Sequence, residues 1–360
     1  MARNGCASAE GAVLEVLGSV EAPARPPRIR ARPDLPGGDS PLAPETLAPP
    51  REDFPLHVRP AQGSFVKDPK KWAVAARAIL DDRLAAAGAI LLRGLPLATV
   101  AEFSEFFVAL GYEPVPYHGF ATREEIAPGV TTPNIPNPRK AIMLHNDMST
   151  DPVMPAHVFL FCAEPPPEDA GGETPIARSA DWTAALGPEL WAQFAERGLS
   201  RWTTSPCRER RSRPGMPWQE RYQTEDPDVA EAKCRAQGDE VIWESDGSLT
   251  THRTLDPFHE HGGELLWCST PQSAPPVSSV DFRYGDGERI EPEIIERLTV
   301  AQWNIAVAFS WQAGDVLCLD NLGCQHGRLP YTPGVAREIF VAIATPTRGN
   351  VREPASRIDA

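Results

Sequence analysis

Gly314-Asp315-Val316-Leu317-Cys318-Leu319-Asp320-Asn321-Leu322-Gly323-Cys324-Gln325-His326-Gly327-Arg328 opens on an apolar stretch with the character of a buried strand and delivers a histidine, His326, just beyond it. Far upstream, His145-Asn146-Asp147 offers a second histidine with a carboxylate two positions on. Alternate residues of an extended strand point to the same side, so His145 and Asp147 share a face while Asn146 turns away. Three side chains from two distant segments therefore become candidates for one site.

Two neutral imidazoles and one carboxylate can occupy one face of an Fe(II) ion, leaving about three of six positions for a co-substrate and dioxygen, the layout of non-haem iron oxygenases. His-x-Asp alone arises often by chance, so its company decides. Beyond His326 lies Arg337, in Arg337-Glu338-Ile339-Phe340-Val341-Ala342-Ile343-Ala344, an apolar run that reads as a buried strand. An arginine among such residues is costly unless paired, and a dicarboxylate such as 2-oxoglutarate offers its guanidinium a bidentate match. A third element, Gly171-Gly172-Glu173-Thr174-Pro175, follows the apolar strand candidate 156–162. Its glycines permit a tight turn that exposes the Thr174 hydroxyl.

In this order, with Ala89-Ile90-Leu91-Leu92-Arg93-Gly94 before them and Gly263-Glu264-Leu265-Leu266-Trp267 between, these elements resemble the taurine dioxygenase/clavaminate synthase family of Fe(II)- and 2-oxoglutarate-dependent oxygenases. The resemblance covers residues 53–347. It implies a mainly β fold with peripheral helices around a double-stranded β-helix of jelly-roll, cupin-like type, whose mouth brings distant ligands together. It also implies His145, Asp147 and His326 as iron ligands, Arg337 and Thr174 on the distal carboxylate of 2-oxoglutarate, and dioxygen as co-substrate. The most similar branch is that of natural-product enzymes hydroxylating amino acids, free or loaded on carrier proteins. Desaturation and ring closure draw on the same oxidant. Two positions bear on chemistry: Asp147 stands where many relatives have Glu and where halogenating relatives have Gly or Ala, and Val341 stands where sulfonate-using members have a second arginine. A taurine-like substrate and chlorination are both disfavoured on these grounds.

Two rivals stand against this reading, one from another class and one within enzymes. A non-catalytic cupin-like binding protein would have lost a ligand or the co-substrate arginine, and none is missing. A zinc hydrolase could use the same three ligands, and metal reconstitution with 2-oxoglutarate separates it. Of the other histidines, His259-Glu260-His261 is a second pair two apart, read here as a turn before the strand Glu264-Leu265-Leu266-Trp267. His57, His118, His157 and His252 are scattered, and His157, opening an apolar strand, reads as a hydrogen-bonded core residue.

With 360 residues, 41% hydrophobic, the chain can bury a sizeable core. A net charge of −14 argues against a nucleic-acid partner, since phosphate binding needs concentrated Lys and Arg. Seven cysteines without a Cys-x-x-Cys suggest neither a disulfide framework nor a zinc site, and Cys162, Cys318 and Cys324 read as small core hydrophobes. The apolar stretch 11–18 is short and broken by Glu15, no secretory segment is expected, and no run is long enough to cross a bilayer. A cytoplasmic enzyme acting on a small molecule, with an acidic carrier protein as a further partner, is the expectation.

Residues 1–52 are dense in proline and read as a disordered or extended leader, 53–347 as the oxygenase domain, and 348–360 as a tail. Asp68-Pro69 and the Thr99/Glu102 capping box start two helices that buttress a sheet. Further helices are expected near 180–197 and from Asp226-Pro227 to Gly238, and Asp246-Gly247 is a hairpin turn. Trp202 to Trp218, with Arg208, Arg210, Arg211 and Arg213 among breakers, reads as a long loop, a lid at about 200–220.

Overall fold

The computed structural model describes residues 6–9, 11–116, 123–132, 137–151, 154–210, 215–273 and 279–346. Its backbone is a ten-stranded sheet with the path Cys6–Ala9, Ala12–Val16, Leu56–Pro60, Ala89–Leu92, Val316–Asp320, His157–Glu164, Glu338–Thr345, Val130–Thr131 and Glu125–Ala127, with Glu113–Pro114 added off Glu338–Thr345. Neighbours run antiparallel, except that Leu56–Pro60 and Ala89–Leu92 are parallel. The central strands are apolar on both sides because both faces are covered. Phe159, Phe161, Val316 and Cys318 meet the helices Pro69–Ala87 and Val100–Leu110, while Val158, Leu160, Leu317 and Leu319 point into the molecule. Each fully buried side chain of this kind contributes about 1.5–3 kcal/mol.

Both helix starts are as the sequence implies. Asp68 accepts from Lys70 N with Pro69 at the first turn, and Thr99 and Glu102 form a reciprocal capping box, a device worth about 1 kcal/mol. The helices stop at Gly88 and Gly111, whose positive φ values, 77° and 73°, suit glycine.

Against the inner side of the large sheet stands a three-stranded sheet, Ile176–Arg178, Cys324–Arg328 and Ile142–His145. Ile176 and Cys324 pack into the shared interior. Leu144 and Ala177 face away, against Trp303 of helix Pro292–Ile305. This small sheet carries both histidines of interest.

Three expectations are corrected. The proline-rich leader is extended but not disordered: Leu14, Val20, Ile29, Leu35, Ala43 and Leu47 are buried against the rest of the chain. Apolar side chains spaced between the prolines give it surface to bury, and proline lowers the entropy lost on ordering. Secondly, the lid stretch begins as a strand. Leu199–Ser205 is central in a four-stranded sheet with Leu249–Leu255, Glu240–Trp243 and Val280–Tyr284. Its alternate residues Leu199, Arg201, Thr203 and Ser205 are buried, a half-polar pattern that the arginine-rich loop beyond it masks. Arg208 of that loop pairs with Glu225 at 2.7 Å, while Arg211 and Arg213 lie outside the described residues, as do His118 and the 348–360 tail. Thirdly, Phe258–His261 is a strand paired with Glu264–Trp267, so His259 and His261 sit before the turn rather than in it. The helices Ser179–Arg197 and Pro227–Ala236 and the hairpin at Gly247 appear where expected. Among the described residues no helix is long and apolar enough to cross a membrane.

Candidate active site

Strand register places the first two ligand candidates. His326 pairs directly with His145 across the small sheet, so their rings lie on one face with centroids 4.7 Å apart. The strands can approach this closely because residue 327 has no side chain: a Cβ there would stand 2.6 Å from the Ile142 carbonyl oxygen. The His145 ring is turned by its Nδ1, 2.8 Å from the Met143 carbonyl, which leaves Nε2 to face Asp147 Oδ1 at 3.5 Å. Ligand atoms of His145, Asp147 and His326 all lie within 4.8 Å of one another. Among the described residues this is the one group of three or more His, Cys, Asp or Glu close enough to hold a metal ion.

The turn after His145 is fastened from behind. Asn321, fully buried, accepts from Asp147 N at 2.8 Å and donates to the carbonyls of Asp147 at 2.9 Å and Pro155 at 2.8 Å. Asn146 reciprocates by donating to the carbonyls of Asn321 and Cys324. From the helix behind the small sheet, Gln302 donates to the Leu144 carbonyl and to the Gln325 side chain, the residues preceding each histidine. Thr150, just past the turn, accepts from Arg201 Nη1 at 2.9 Å, so the four-stranded sheet leans on the same segment.

Two of the three groups are held in the protonation state a metal ligand needs. Burial raises the Asp147 pKa, but the Arg123 guanidinium, the hydrogen bond with His145 and the nearby imidazoles outweigh it and hold the carboxyl well below its usual range. Burial pushes His326 down to about 3, with His145 and Arg123 opposing a further positive charge. Its ring is therefore neutral at pH 7, and its buried Nδ1 has no hydrogen-bond partner. A neutral imidazole, an ionised carboxylate and a second imidazole oriented by a backbone carbonyl are the donor set that suits Fe(II), and the residues fit that ion.

Arg337 lies immediately before the strand Glu338–Thr345. Its Nε donates to the Gly172 carbonyl at 2.8 Å and its Nη2 reaches Thr174 Oγ1 at 3.4 Å. The Thr174 hydroxyl is buried rather than exposed, and it also accepts from Trp311 Nε1 at 3.0 Å. Gly171 and Gly172 have positive φ and permit close approach: a Cβ on Gly172 would lie 2.9 Å from Arg337 Cδ. Burial, then the neighbouring Arg328, lowers the Arg337 pKa to about 10, the mark of a cation whose hydrogen bonds go to neutral oxygens. Arg328 is occupied in holding the carbonyls of Asn137 and Lys140.

Two side chains escaped the sequence reading. Arg123 places Nη2 3.1 and 3.4 Å from the two oxygens of Asp147. Nothing in its neighbourhood marks it, since the contact spans a loop. Asn321 lies inside the run that ends in His326, yet a turn asparagine gives no sign of its bracket. His261, by contrast, stands 2.7 Å from Asp320 and belongs to no metal-binding group. Cys162, Cys318 and Cys324 are fully buried, with thiols pushed up chiefly by burial, as core residues. His157 is less well satisfied than expected: its Nδ1 is buried without a partner.

Residues 52–343 match the model of the family described as taurine catabolism dioxygenase TauD, TfdA family. A clavaminate synthase-like protein of Arabidopsis thaliana is 28% identical over 309 residues, covering 81% of this chain and 90% of the relative. The dapdiamide synthesis protein DdaC of Enterobacter agglomerans is 28% identical over 301 residues, covering 76% and 87%. Among solved structures, PvcB of Pseudomonas aeruginosa aligns with a TM-score of 0.49 at 15% identity, covering 80% of this chain and 85% of that one.

Proposed function

We propose, for a chain that belongs to the TauD, TfdA dioxygenase family, that His145, Asp147 and His326 hold the iron and that Arg337 with Thr174 holds 2-oxoglutarate. The protein is an Fe(II)- and 2-oxoglutarate-dependent oxygenase acting on a small molecule. We read its two facing sheets as the walls of a double-stranded β-helix, with the oxygenase domain extending over residues 53–347. The observation that carries the site assignment is the meeting of three ligand atoms, from segments far apart in sequence, within 4.8 Å.

Iron, when bound, supplies the activation of dioxygen that couples decarboxylation of 2-oxoglutarate to succinate with oxidation of a substrate C–H bond. The chain's own part is to position. His145 is oriented by Met143, Asp147 by Asn321, and His326 by the register with His145. Arg337, with Nε committed to Gly172, presents a fixed guanidinium edge to the distal carboxylate.

The substrate class we infer is an amino acid or amino-acid derivative, hydroxylated in specialised metabolism. The likeness to a dapdiamide synthesis protein supports it. A substrate loaded on an acidic carrier protein is the second form considered. Desaturation and ring closure are alternative outcomes at the same site.

The test is anaerobic reconstitution. Fe(II) with 2-oxoglutarate should give a weak visible charge-transfer band and, in air, succinate, both lost in His145→Ala, Asp147→Ala and His326→Ala proteins that keep their circular dichroism. A variant with normal turnover removes that residue from the site. A zinc-loaded protein hydrolysing substrate without 2-oxoglutarate would replace the reading altogether.

A further inference from the structure

We propose that His261 is a positioning residue for the iron site: by holding the Asp320 carboxylate it fixes the turn at 320–323, from which Asn321 grips Asp147. This rests on the assignment of His145, Asp147 and His326 as the iron ligands.

The turn between the strands Val316–Asp320 and Cys324–Arg328 has its backbone tied at three points. Asp320 N donates to the Gly88 carbonyl at 2.9 Å, Asn321 N donates to the Ala156 carbonyl at 2.8 Å, and the Gly323 carbonyl accepts from Ser179 N at 2.9 Å. What remains is the Asp320 side chain, 4% exposed. Its Oδ1 accepts from Leu322 N at 3.2 Å and closes the turn on itself, while its Oδ2 meets His261 Nε2 at 2.7 Å. A buried carboxylate is costly without a partner, so the place of Asp320 depends on that contact. His157, its partner across the ladder, and His259 also lie close enough to feel its charge. Burial holds both below the usual imidazole range and so neutral at pH 7, and the direct contact falls to His261.

The surroundings are shaped for this contact. Residue 323 has no side chain, and a Cβ there would stand 2.9 Å from Asp320 Oδ2 and 3.1 Å from His261 Nε2. The hairpin Phe258–His261 and Glu264–Trp267 that carries His261 is seated on the helix Ser179–Arg197. Trp267 N donates to Thr183 Oγ1 at 3.0 Å, and the Trp267 ring meets Trp182 and Phe194 edge-on. That helix in turn begins on the Gly323 carbonyl through Ser179 N. Turn, helix and hairpin therefore form a closed circuit, and the contact of His261 with Asp320 is its last link. Asn321 sits inside the circuit, with its side-chain oxygen on Asp147 N and its amide on the Asp147 carbonyl. Without the link, Asp320 is free to turn toward water, the turn loses its fixed shape, and Asp147 is less well prepared for the metal.

The experiment titrates Fe(II) into the protein saturated with 2-oxoglutarate under argon and follows the weak visible charge-transfer band. His261→Leu should weaken Fe(II) binding about tenfold, the lower end of what loss of an outer partner costs. His261→Gln, whose amide nitrogen can stand where Nε2 stood, should recover most of that affinity, which a general loss of packing would not allow. In the double variant His261→Leu/Asn321→Ala, Fe(II) should bind as it does to Asn321→Ala alone, because His261 acts through the same bracket. The proposal is overturned if His261→Leu binds Fe(II) within about twofold of the parent, if His261→Gln is no better than His261→Leu, or if the losses multiply in the double variant. Should His261→Leu fail to fold, His261→Asn, with an amide one carbon too short to reach, takes its place in all three comparisons. Failure of the underlying iron site is separately visible, because His145→Ala would then leave the Fe(II) affinity unchanged as well.

Discussion

Asn321 grips Asp147 by both ends of its peptide: its side-chain oxygen accepts from Asp147 N and its amide donates to the Asp147 carbonyl. Asn321 comes from the turn joining Val316–Asp320 to Cys324–Arg328, so the strand pair that delivers His326 also fixes the carboxylate. Two of the three proposed ligands are thus tied to one turn, and the third, His145, adjoins the bracketed segment.

Breaking the bracket should be felt at the metal. Asn321→Ala strands the Asp147 N–H and the carbonyls of Asp147 and Pro155, each buried group costing about 1–3 kcal/mol. Loss of such an outer partner typically lowers metal affinity by about 10–100-fold. Asn321→Asp keeps the acceptor but not the donor and should fall between. Fe(II) titration under argon reads the affinity, and saturating iron should recover much of the succinate release. Unchanged affinity in the alanine variant would show that the turn holds its shape without the bracket.

The co-substrate side has its own pair of tests. Arg337→Lys keeps the charge but loses the fork, and should raise the 2-oxoglutarate KM by about 10–100-fold. Gly172→Ala should move KM the same way, because its Cβ would press on Arg337 Cδ and its φ of +85° is unfavourable for alanine. Steady-state succinate release decides. Should Arg337→Lys leave KM alone, the carboxylate would pass to Arg328, whose guanidinium also lies near the Tyr331 ring.

What the sequence could reveal of this site followed from spacing and cost. His145 and Asp147 alternate on one face, and an arginine beside an apolar strand demands a partner, so both signals survive without a structure. Arg123 carries no comparable signal, lying 24 residues before Asp147 in a polar stretch where an arginine costs nothing until the fold buries it. The four-stranded sheet was obscured for a related reason: Leu199–Ser205 buries Arg201 and three hydroxyl residues, Ser200, Thr203 and Ser205, which in a sequence look like loop. The leader misled in the opposite sense, its scattered Ile29, Leu35 and Leu47 having no periodicity because a proline-rich extended chain docks them one at a time.

Acid should destabilise the metal-free protein through its buried histidines. Burial lowers the pKa values of His57, His157 and His259, and that of His326 to about 3, below the unfolded value of 6.5. Between these limits the unfolded chain binds protons that the folded chain refuses, so stability present above pH 6.5 is lost as pH falls toward 3. Each such group contributes a slope of up to about 1.4 kcal/mol per pH unit. Urea unfolding at pH 7 and pH 5 should show the loss, and His157→Phe, which also removes the unpartnered Nδ1, should flatten it by up to one proton's worth. An identical slope in that variant would mean His157 is protonated equally in both states.

Asp147 should also decide what the reaction delivers. Its side chain is buried beside His145 Nε2 and its backbone is held from both sides by Asn321, so the carboxylate has little freedom to leave the position proposed for it on iron. With three positions taken by the chain and two by 2-oxoglutarate, about one remains, for dioxygen. Chloride finds no place among the metal's ligands, and the substrate radical has only hydroxyl to collect or a second hydrogen to lose. Assayed with its substrate in excess chloride, the enzyme should give a product heavier by one oxygen or lighter by two hydrogens, read by mass spectrometry. A chlorinated main product would require an open coordination position where Asp147 is assigned, and would remove both that ligand and the hydroxylase reading that depends on it.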